Sequence, residues 1–287
     1  MNKVTLTGAD DRTDCEGVSM ITGMSYGAGI NGSAMLVGMK EKGIEPPDYI
    51  IFADTAGSDP EKRGEKPETY DYVDRYMRPW VVRNLDRGII TVGHWRDSLR
   101  ESCFRNGTLP SKSYGFPGCS VKFKHQIMER YETQTYGPDQ IITKIIGYHA
   151  GEKRGSGIFE KGRYRYRYLL KEWGWGQQEC LDALERAGLP IPMKSACYFC
   201  PSSKPHEIIW LRDTHPDLFE DALAMERNAI PYHTQPDRLL EDGTPAVKGL
   251  GRKFAWSQFV NITPAEADKL PEPDQIPCMC NDGGDDE

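Results

Sequence analysis

Two groups of residues in this 287-residue chain have types and spacings suited to chemistry. The first is the run Ser25-Tyr26-Gly27-Ala28-Gly29-Ile30-Asn31-Gly32-Ser33. Glycines let backbone N–H groups crowd around an anion, and a helix starting just after them adds the positive end of its dipole. The run lacks the Gly-Lys-Ser/Thr ending of a Walker A loop, and Ser33 stands where the third glycine of G-x-G-x-x-G would fall. A plain glycine-rich turn is the competing reading. The second group is the cysteines. Cys197-Tyr198-Phe199-Cys200 is a C-x-x-C knuckle, and Cys119 lies 78 residues before it. Three thiolates of this kind suit zinc or an iron–sulfur cluster. Cys103 is the nearest candidate in sequence for a fourth ligand, and the tail pair Cys278 and Cys280 is another. A redox role for C-x-x-C is a third reading, without a thioredoxin-like context to support it. Cys180 reads as a core thiol.

The elements that must position these residues alternate between strand and helix signals. Apolar runs at 18–24 and 34–40 flank the glycine loop as strand and helix. Tyr49–Ala53 reads as a strand ending at Asp54-Thr55, and Pro67 opens a helix that runs to about Asp86. Ile89–Val92 and Lys144–Tyr148 read as further strands, Gln177–Ala187 and His206–Asn228 as helices. This alternation predicts a parallel α/β sheet flanked by helices, with ligands at the carboxyl ends of its strands. The glycine loop, Asp54 and the segment after Gly147 then share one rim. The expected organisation is a flexible N-terminus at 1–17, an α/β domain at 18–215, a mostly helical or irregular extension at 216–270 and an acidic tail at 271–287.

Composition narrows the function classes. The formal net charge is −7, which argues against general nucleic-acid coating. No stretch is long and apolar enough for a membrane span, and the polar start has no signal-peptide pattern, so a cytoplasmic location is expected. In that compartment eight cysteines favour metal or thiol chemistry over disulfides. Arg163-Tyr164-Arg165-Tyr166-Arg167-Tyr168 alternates with period two, either as a phosphate or nucleic-acid surface or as a charged solvated edge. Trp173 and Trp175 read as core.

Six segments, in order, resemble one family. They are the Ser25–Ser33 loop, Phe52-Ala53-Asp54-Thr55-Ala56-Gly57 with Pro67-Glu68-Thr69, and Gly118-Cys119-Ser120-Val121-Lys122-Phe123-Lys124. Gly147-Tyr148-His149-Ala150-Gly151-Glu152-Lys153-Arg154, Leu170-Lys171-Glu172-Trp173-Gly174-Trp175 and Cys197-x-x-Cys200-Pro201 complete the set. Together they resemble the phosphoadenosine phosphosulfate (PAPS) reductase family of the pyrophosphate-loop superfamily, in a form carried by phages and bacteria. The resemblance implies an adenine nucleotide α-hydrolase-like fold, with a five-stranded parallel sheet binding an adenine nucleotide, ATP or PAPS. It implies phosphate or sulfate contacts at Ser25, Gly27, Gly29, Asn31 and Ser33, nucleotide contacts near Asp54 and Thr55, and an acidic–basic pair at Glu152 and Arg154. It further implies cleavage at the α-phosphate coupled to sulfur activation or transfer, Mg²⁺ with ATP, and a [4Fe-4S] cluster (alternatively zinc) on Cys119, Cys197 and Cys200. The sulfur acceptor would be a nucleic acid or a thiol carrier.

The chain departs from the family pattern at three places. Gly118-Cys119 replaces a Cys-Cys pair. The tail lacks a Glu-Cys-Gly-Leu-His ending, which weakens a thiol-dependent sulfonucleotide reductase reading. Asn31 and Gly32 stand where Asp and Ser are usual, with Ser33 available as a replacement hydroxyl. A non-catalytic nucleotide- or nucleic-acid-binding module with structural zinc is the remaining alternative.

Overall fold

The computed structural model describes residues 20–57, 64–153, 160–239, 245–247, 249–252 and 254–270. The N-terminal segment 1–17, Arg154 and the tail with Cys278 and Cys280 lie outside the described residues. Strands β1 (Ile21–Ser25), β2 (Tyr49–Asp54), β3 (Ile89–Gly93), β4 (Ile142–Ile145), β5 (Glu160–Lys161) and β6 (Tyr164–Arg167) form one sheet in the order β3-β2-β1-β4-β6-β5. Five strands are parallel, as expected, and the two-residue β5 adds an antiparallel edge. The fourth strand begins and ends earlier than the apolar run 144–148 suggests, pairing Ile142 with Ile21 and Ile145 with Met24.

Strand β2 shows why the sheet is sandwiched. All six of its residues are buried. Ile50 and Phe52 join one apolar cluster, whereas Tyr49, Ile51 and Ala53 join another on the opposite face. Period-two alternation with apolar residues at both phases requires cover on both sides. Helix α1 (Ile30–Lys42), the helix over 67–85 and the helix at Gln177–Arg186 cover the first face. Trp173 and Trp175 pack there too, at 5.1 Å from each other, and Gly38 of α1 lets them in: a Cβ on Gly38 would lie 2.4 Å from the Trp173 ring. The second face is covered by the helix at Gln126–Tyr136 through Met128. Two helices contain π-helical turns, Tyr72–Met77 and Val121–His125, which the sequence pattern does not announce.

The helix expected over 206–228 is two helices, Pro205–Thr214 and Pro216–His233. Pro216 has no N–H to donate and disfavours helical backbone at His215, which sits at φ −134°, ψ 66°. The second of these helices packs its Phe219, Ala222 and Met225 into a cluster with Tyr198, Phe199 and Trp256. Buried Glu226 anchors the following chain, accepting backbone N–H bonds from Leu250, Trp256 and Ser257 at 2.8–3.0 Å. The extension also contains an antiparallel strand pair, Thr234–Leu239 with Pro245–Val247. Among the described residues no helix is long and apolar enough to cross a membrane.

Candidate nucleotide site and the cysteine knuckle

The strand order places a topological switch between β1 and β4. From β1 the chain winds outward through β2 and β3, and β4 lies on the other side. Loops leaving two such strands diverge and open a crevice at their carboxyl ends. Here the crevice is an open cleft of about 390 Å³, lined by Ser25, Gly27, Gly29, Ile30, Asn31 and Gly32 after β1 and by Gly147 after β4. Its far wall is the segment 192–195, with Lys194 and Ser195.

The loop geometry leaves backbone donors available. Gly29 caps α1 without a side chain, and no side-chain hydrogen bond closes the helix start. A Cβ on Gly27 or Gly29 would meet no atom within 4 Å, so both face the open cleft. Ala28 between them takes φ 54°, a left-handed conformation unusual for a residue with a side chain, and its side chain is buried. Unsatisfied N–H groups at the start of a 13-residue helix attract an anion.

The sequence-derived residues divide into those at the cleft and those elsewhere. Ser25, Gly27, Gly29 and Asn31 line it. Asn31 Nδ2 donates to Glu152 Oε1 at 2.9 Å, so the loop after β4 meets the first turn of α1. Ser33 does not face the cleft. It is fully buried one helical turn on, with its hydroxyl 3.0 Å from the Tyr26 hydroxyl, because position 33 falls on the core side of α1. The hydroxyl is therefore a structural contact and not a replacement ligand.

Asp54 and Thr55 belong to a second, more buried group. Asp54 Oδ1 accepts from the Ala56 N–H and the Tyr70 hydroxyl, both at 2.8 Å. Burial raises its carboxyl above the usual carboxylate value, against the lowering effect of these two hydrogen bonds. Thr55 Oγ1 lies 3.2 Å from Cys197 Sγ. Glu65 pairs with Cys197 as an isolated antiparallel bridge and binds Lys124 Nζ at 2.7 Å. The C-x-x-C knuckle thus docks beside the carboxyl end of β2. Gly64 permits close packing here: a Cβ there would lie 2.3 Å from Thr55 Oγ1, the atom that contacts Cys197.

The metal centre implied by the resemblance has Cys119, Cys197 and Cys200 among the described residues, and the tail pair Cys278 and Cys280 lies outside them. Among the described residues no three His, Cys, Asp or Glu side chains are grouped to hold one ion. Cys197 Sγ contacts Thr55, and Cys103 is buried on the helix at Leu99–Asn106, where burial pushes its thiol up to about 12. Cys119 sits in the short helical turn Gly118–Ser120, on the flank of the same apolar cluster. Cys180 is a core thiol, as its apolar setting suggests.

The arginine–tyrosine run forms β6, but its guanidiniums have local partners. Arg163 donates to the Gly137 carbonyl at 2.6 Å, Arg165 pairs with Glu160 at 2.9 Å, and Arg167 with Glu172 at 2.6 Å. Tyr166 and Tyr168 pack against Ile146 and Tyr148. The strand lies between β4 and the two-residue edge strand β5, and its guanidiniums are held in these local contacts. Sequence reasoning missed the wall at 192–195 and the partnership of Glu65 with the knuckle. Lys194 between Met193 and Ser195 carries no motif, and only the fold brings it opposite the glycine loop.

No family model and no curated protein matches the chain. Among solved structures, it is similar to a phosphoadenylyl-sulfate (PAPS) reductase from Candida auris in a phosphate complex, at 14% identity and a TM-score of 0.41, over 60% of this chain and 74% of that one.

Proposed function

We propose that this chain is an adenine-nucleotide-binding enzyme that acts at the α-phosphate of its nucleotide and couples that cleavage to sulfur chemistry. The observation that carries the reading is the cleft at the β1/β4 switch, floored by an uncapped helix start and by two glycines with open space beside them. The anionic part of the ligand lies against the backbone N–H groups of 27–31. Lys194 contributes a cation from the far wall, steadied by Glu207 at 3.0 Å. The adenine and sulfur parts of the proposal rest on the ordered motif resemblance.

The test is calorimetry with ATP and with PAPS on the wild type and on Gly29→Val. Gly29 has φ −102°, ψ 176°, which valine adopts readily, and its Cβ would point into empty cleft. The variant is expected to fold normally and to lose nucleotide affinity by at least about tenfold, since the branched side chain blocks close backbone approach. Undiminished binding by the variant would refute the site. Binding of PAPS without ATP would move the reading to sulfonucleotide reduction. Pyrophosphate release from ATP would support α-phosphate cleavage directly.

A further inference from the structure

The loop after β3 carries a feature that the nucleotide cleft does not use. Strand β3 ends at Gly93, and the next residue, His94, is buried. Its ring stands 5.1 Å from that of Phe123, and its Nδ1 accepts the backbone N–H groups of Arg96 and Asp97, both at 3.3 Å. His94 thus pins a tight turn, and Trp95 in that turn is left 49% exposed. The indole is stacked with the His94 ring at 4.3 Å, 19° from parallel, and the Arg130 guanidinium lies 3.9 Å from the indole centroid. Arg130 is itself exposed. A half-exposed tryptophan leaves a large apolar ring in water. Cations gather at this ring pile. Arg96 adjoins it in the turn, Lys122 comes from the π-helical turn at Val121–His125, and Arg130 from the helix that follows. Burial lowers the His94 pKa, and the charges of Lys122, Arg96 and Arg130 lower it further, which puts all three beside the ring; Asp97 acts the other way. Among the described residues none of the three cations has an ion pair. Asp97 is taken by Arg105, at 2.6 and 2.8 Å. Exposed arginines elsewhere are matched, Arg75 by Asp71, Arg165 by Glu160 and Arg186 by Glu41. In a chain of net charge −7, three unmatched cations around an exposed indole make a local positive surface.

We infer that the His94–Trp95 turn, with Arg96, Lys122 and Arg130, is a docking surface for single-stranded nucleic acid. The phosphates of such a strand match the three unpaired cations. An unstacked base adds a further layer to the pile of His94, Trp95 and Arg130, because aromatic rings and guanidinium planes are the surfaces on which splayed bases stack. A duplex keeps its bases stacked inside and would meet the cations alone. An acidic peptide would likewise neutralise the cations and leave the indole in water. Strand β3 is parallel to β1 and two places from it in the sheet, so the two loops open at the same edge, about 10 Å apart at about 4.8 Å per strand. A strand bound at Trp95 therefore lies on the rim where the cleft opens. The inference does not depend on which nucleotide the cleft holds.

The experiment is fluorescence anisotropy of a labelled single-stranded DNA of mixed sequence, about 12 nucleotides long, titrated with the full chain at several salt concentrations. Saturable binding is expected, weakening with salt at a log–log slope of about −2, from about 0.7 per phosphate neutralised by three cations. Arg96→Gln and Lys122→Gln should each weaken binding and flatten that slope by about 0.7. Trp95→Ala should weaken binding by about tenfold and leave the slope unchanged, since it removes stacking and no charge. Trp95→Phe keeps a ring and should recover most of that loss. Calorimetry with ATP on the same variants reads the cleft separately and should give the wild-type affinity. A wild type that binds the oligonucleotide and not ATP would count against the proposed function and leave this surface standing. If Trp95→Ala does not fold, the slopes of the two glutamine variants decide. Absence of saturable binding at about 50 mM salt would overturn the proposal. So would equal affinity for a duplex of the same sequence, or an affinity indifferent to Trp95→Ala. Displacement of the oligonucleotide by polyglutamate at equal charge concentration would overturn it in favour of an acidic-peptide site.

Discussion

Asn31 Nδ2 and Glu152 Oε1 lie 2.9 Å apart, across 121 residues of sequence. The same carboxylate oxygen accepts the His149 N–H at 3.2 Å, and the Glu152 carbonyl holds Lys171 Nζ at 2.7 Å. One residue therefore ties three pieces of chain: its carboxylate holds the first turn of α1 and the loop after β4, and its backbone carbonyl holds the helical turn at Leu169–Glu172. This pairing gives a physical reason for asparagine at position 31. The amide donates to a carboxylate, whereas an aspartate would set two carboxylates at hydrogen-bond distance.

Asn31→Asp is accordingly expected to make stability pH-dependent. Two carboxylates this close cannot both ionise freely, so at least one folded-state pKa rises above its unfolded value of about 4. A raised folded-state pKa contributes stability that is present at low pH and lost as pH rises through it. The variant's thermal midpoint should approach that of the wild type near pH 4 and fall below it by pH 7. A constant difference across that range would show that Glu152 swings away.

Ser33→Ala separates core from cleft. The substitution removes the partner of the buried Tyr26 hydroxyl and leaves the cleft lining intact. A loss of about 1–2 kcal/mol in stability is expected from the unpaired buried hydroxyl, with nucleotide affinity unchanged. Denaturant unfolding and calorimetry on the same variant check both halves. A selective loss of affinity would return Ser33 to the site.

The contrast between Ser33 and Asn31 shows what was legible. The strand–loop–helix at 21–42 and four of the five parallel strands follow from apolar runs and glycine placement, because strand and helix periods are local properties, whereas the five-strand count is implied only by the family resemblance. Which face of α1 a residue occupies depends on where the helix starts, and an offset of about half a turn moves Ser33 from cleft to core. The 192–195 wall and the Glu65–Cys197 bridge are long-range contacts between segments without motifs, set by how the knuckle folds back on β2. The single helix expected over 206–228 failed for a readable reason, Pro216, whose effect on His215 is local.

Asp54→Asn tests a carboxylate kept at a cost. Burial raises the Asp54 pKa in the folded protein, so the ionised form is disfavoured there relative to the unfolded chain. Its contribution is fully present below the unfolded pKa of about 4 and is lost as pH rises through the higher folded value. Asparagine keeps the Oδ1 acceptor for the Ala56 N–H and the Tyr70 hydroxyl but carries no charge. The variant should show a flatter stability–pH profile above pH 4 and be at least as stable as the wild type at pH 7. A variant clearly less stable at pH 7 would mean that the charge itself is compensated, with Lys124 a cation acting on it.

The last prediction concerns the two thiols that the site does not use. Cys103 and Cys180 are buried in separate apolar clusters, and burial pushes their thiols up to about 12 and about 11. The thiolate is the reacting form, and an ordinary cysteine at pH 8 is roughly one quarter thiolate. At pH 8 Cys103 then holds about one part in ten thousand as thiolate and Cys180 about one part in a thousand. Burial blocks access as well. Iodoacetamide at pH 8 should leave both unlabelled in the folded protein over minutes and label both rapidly in denaturant. Peptide mapping of the two samples reads this directly. Prompt labelling of Cys103 in the folded chain would show that the helix at Leu99–Asn106 opens readily, and would return Cys103 to consideration as a ligand beside Cys119.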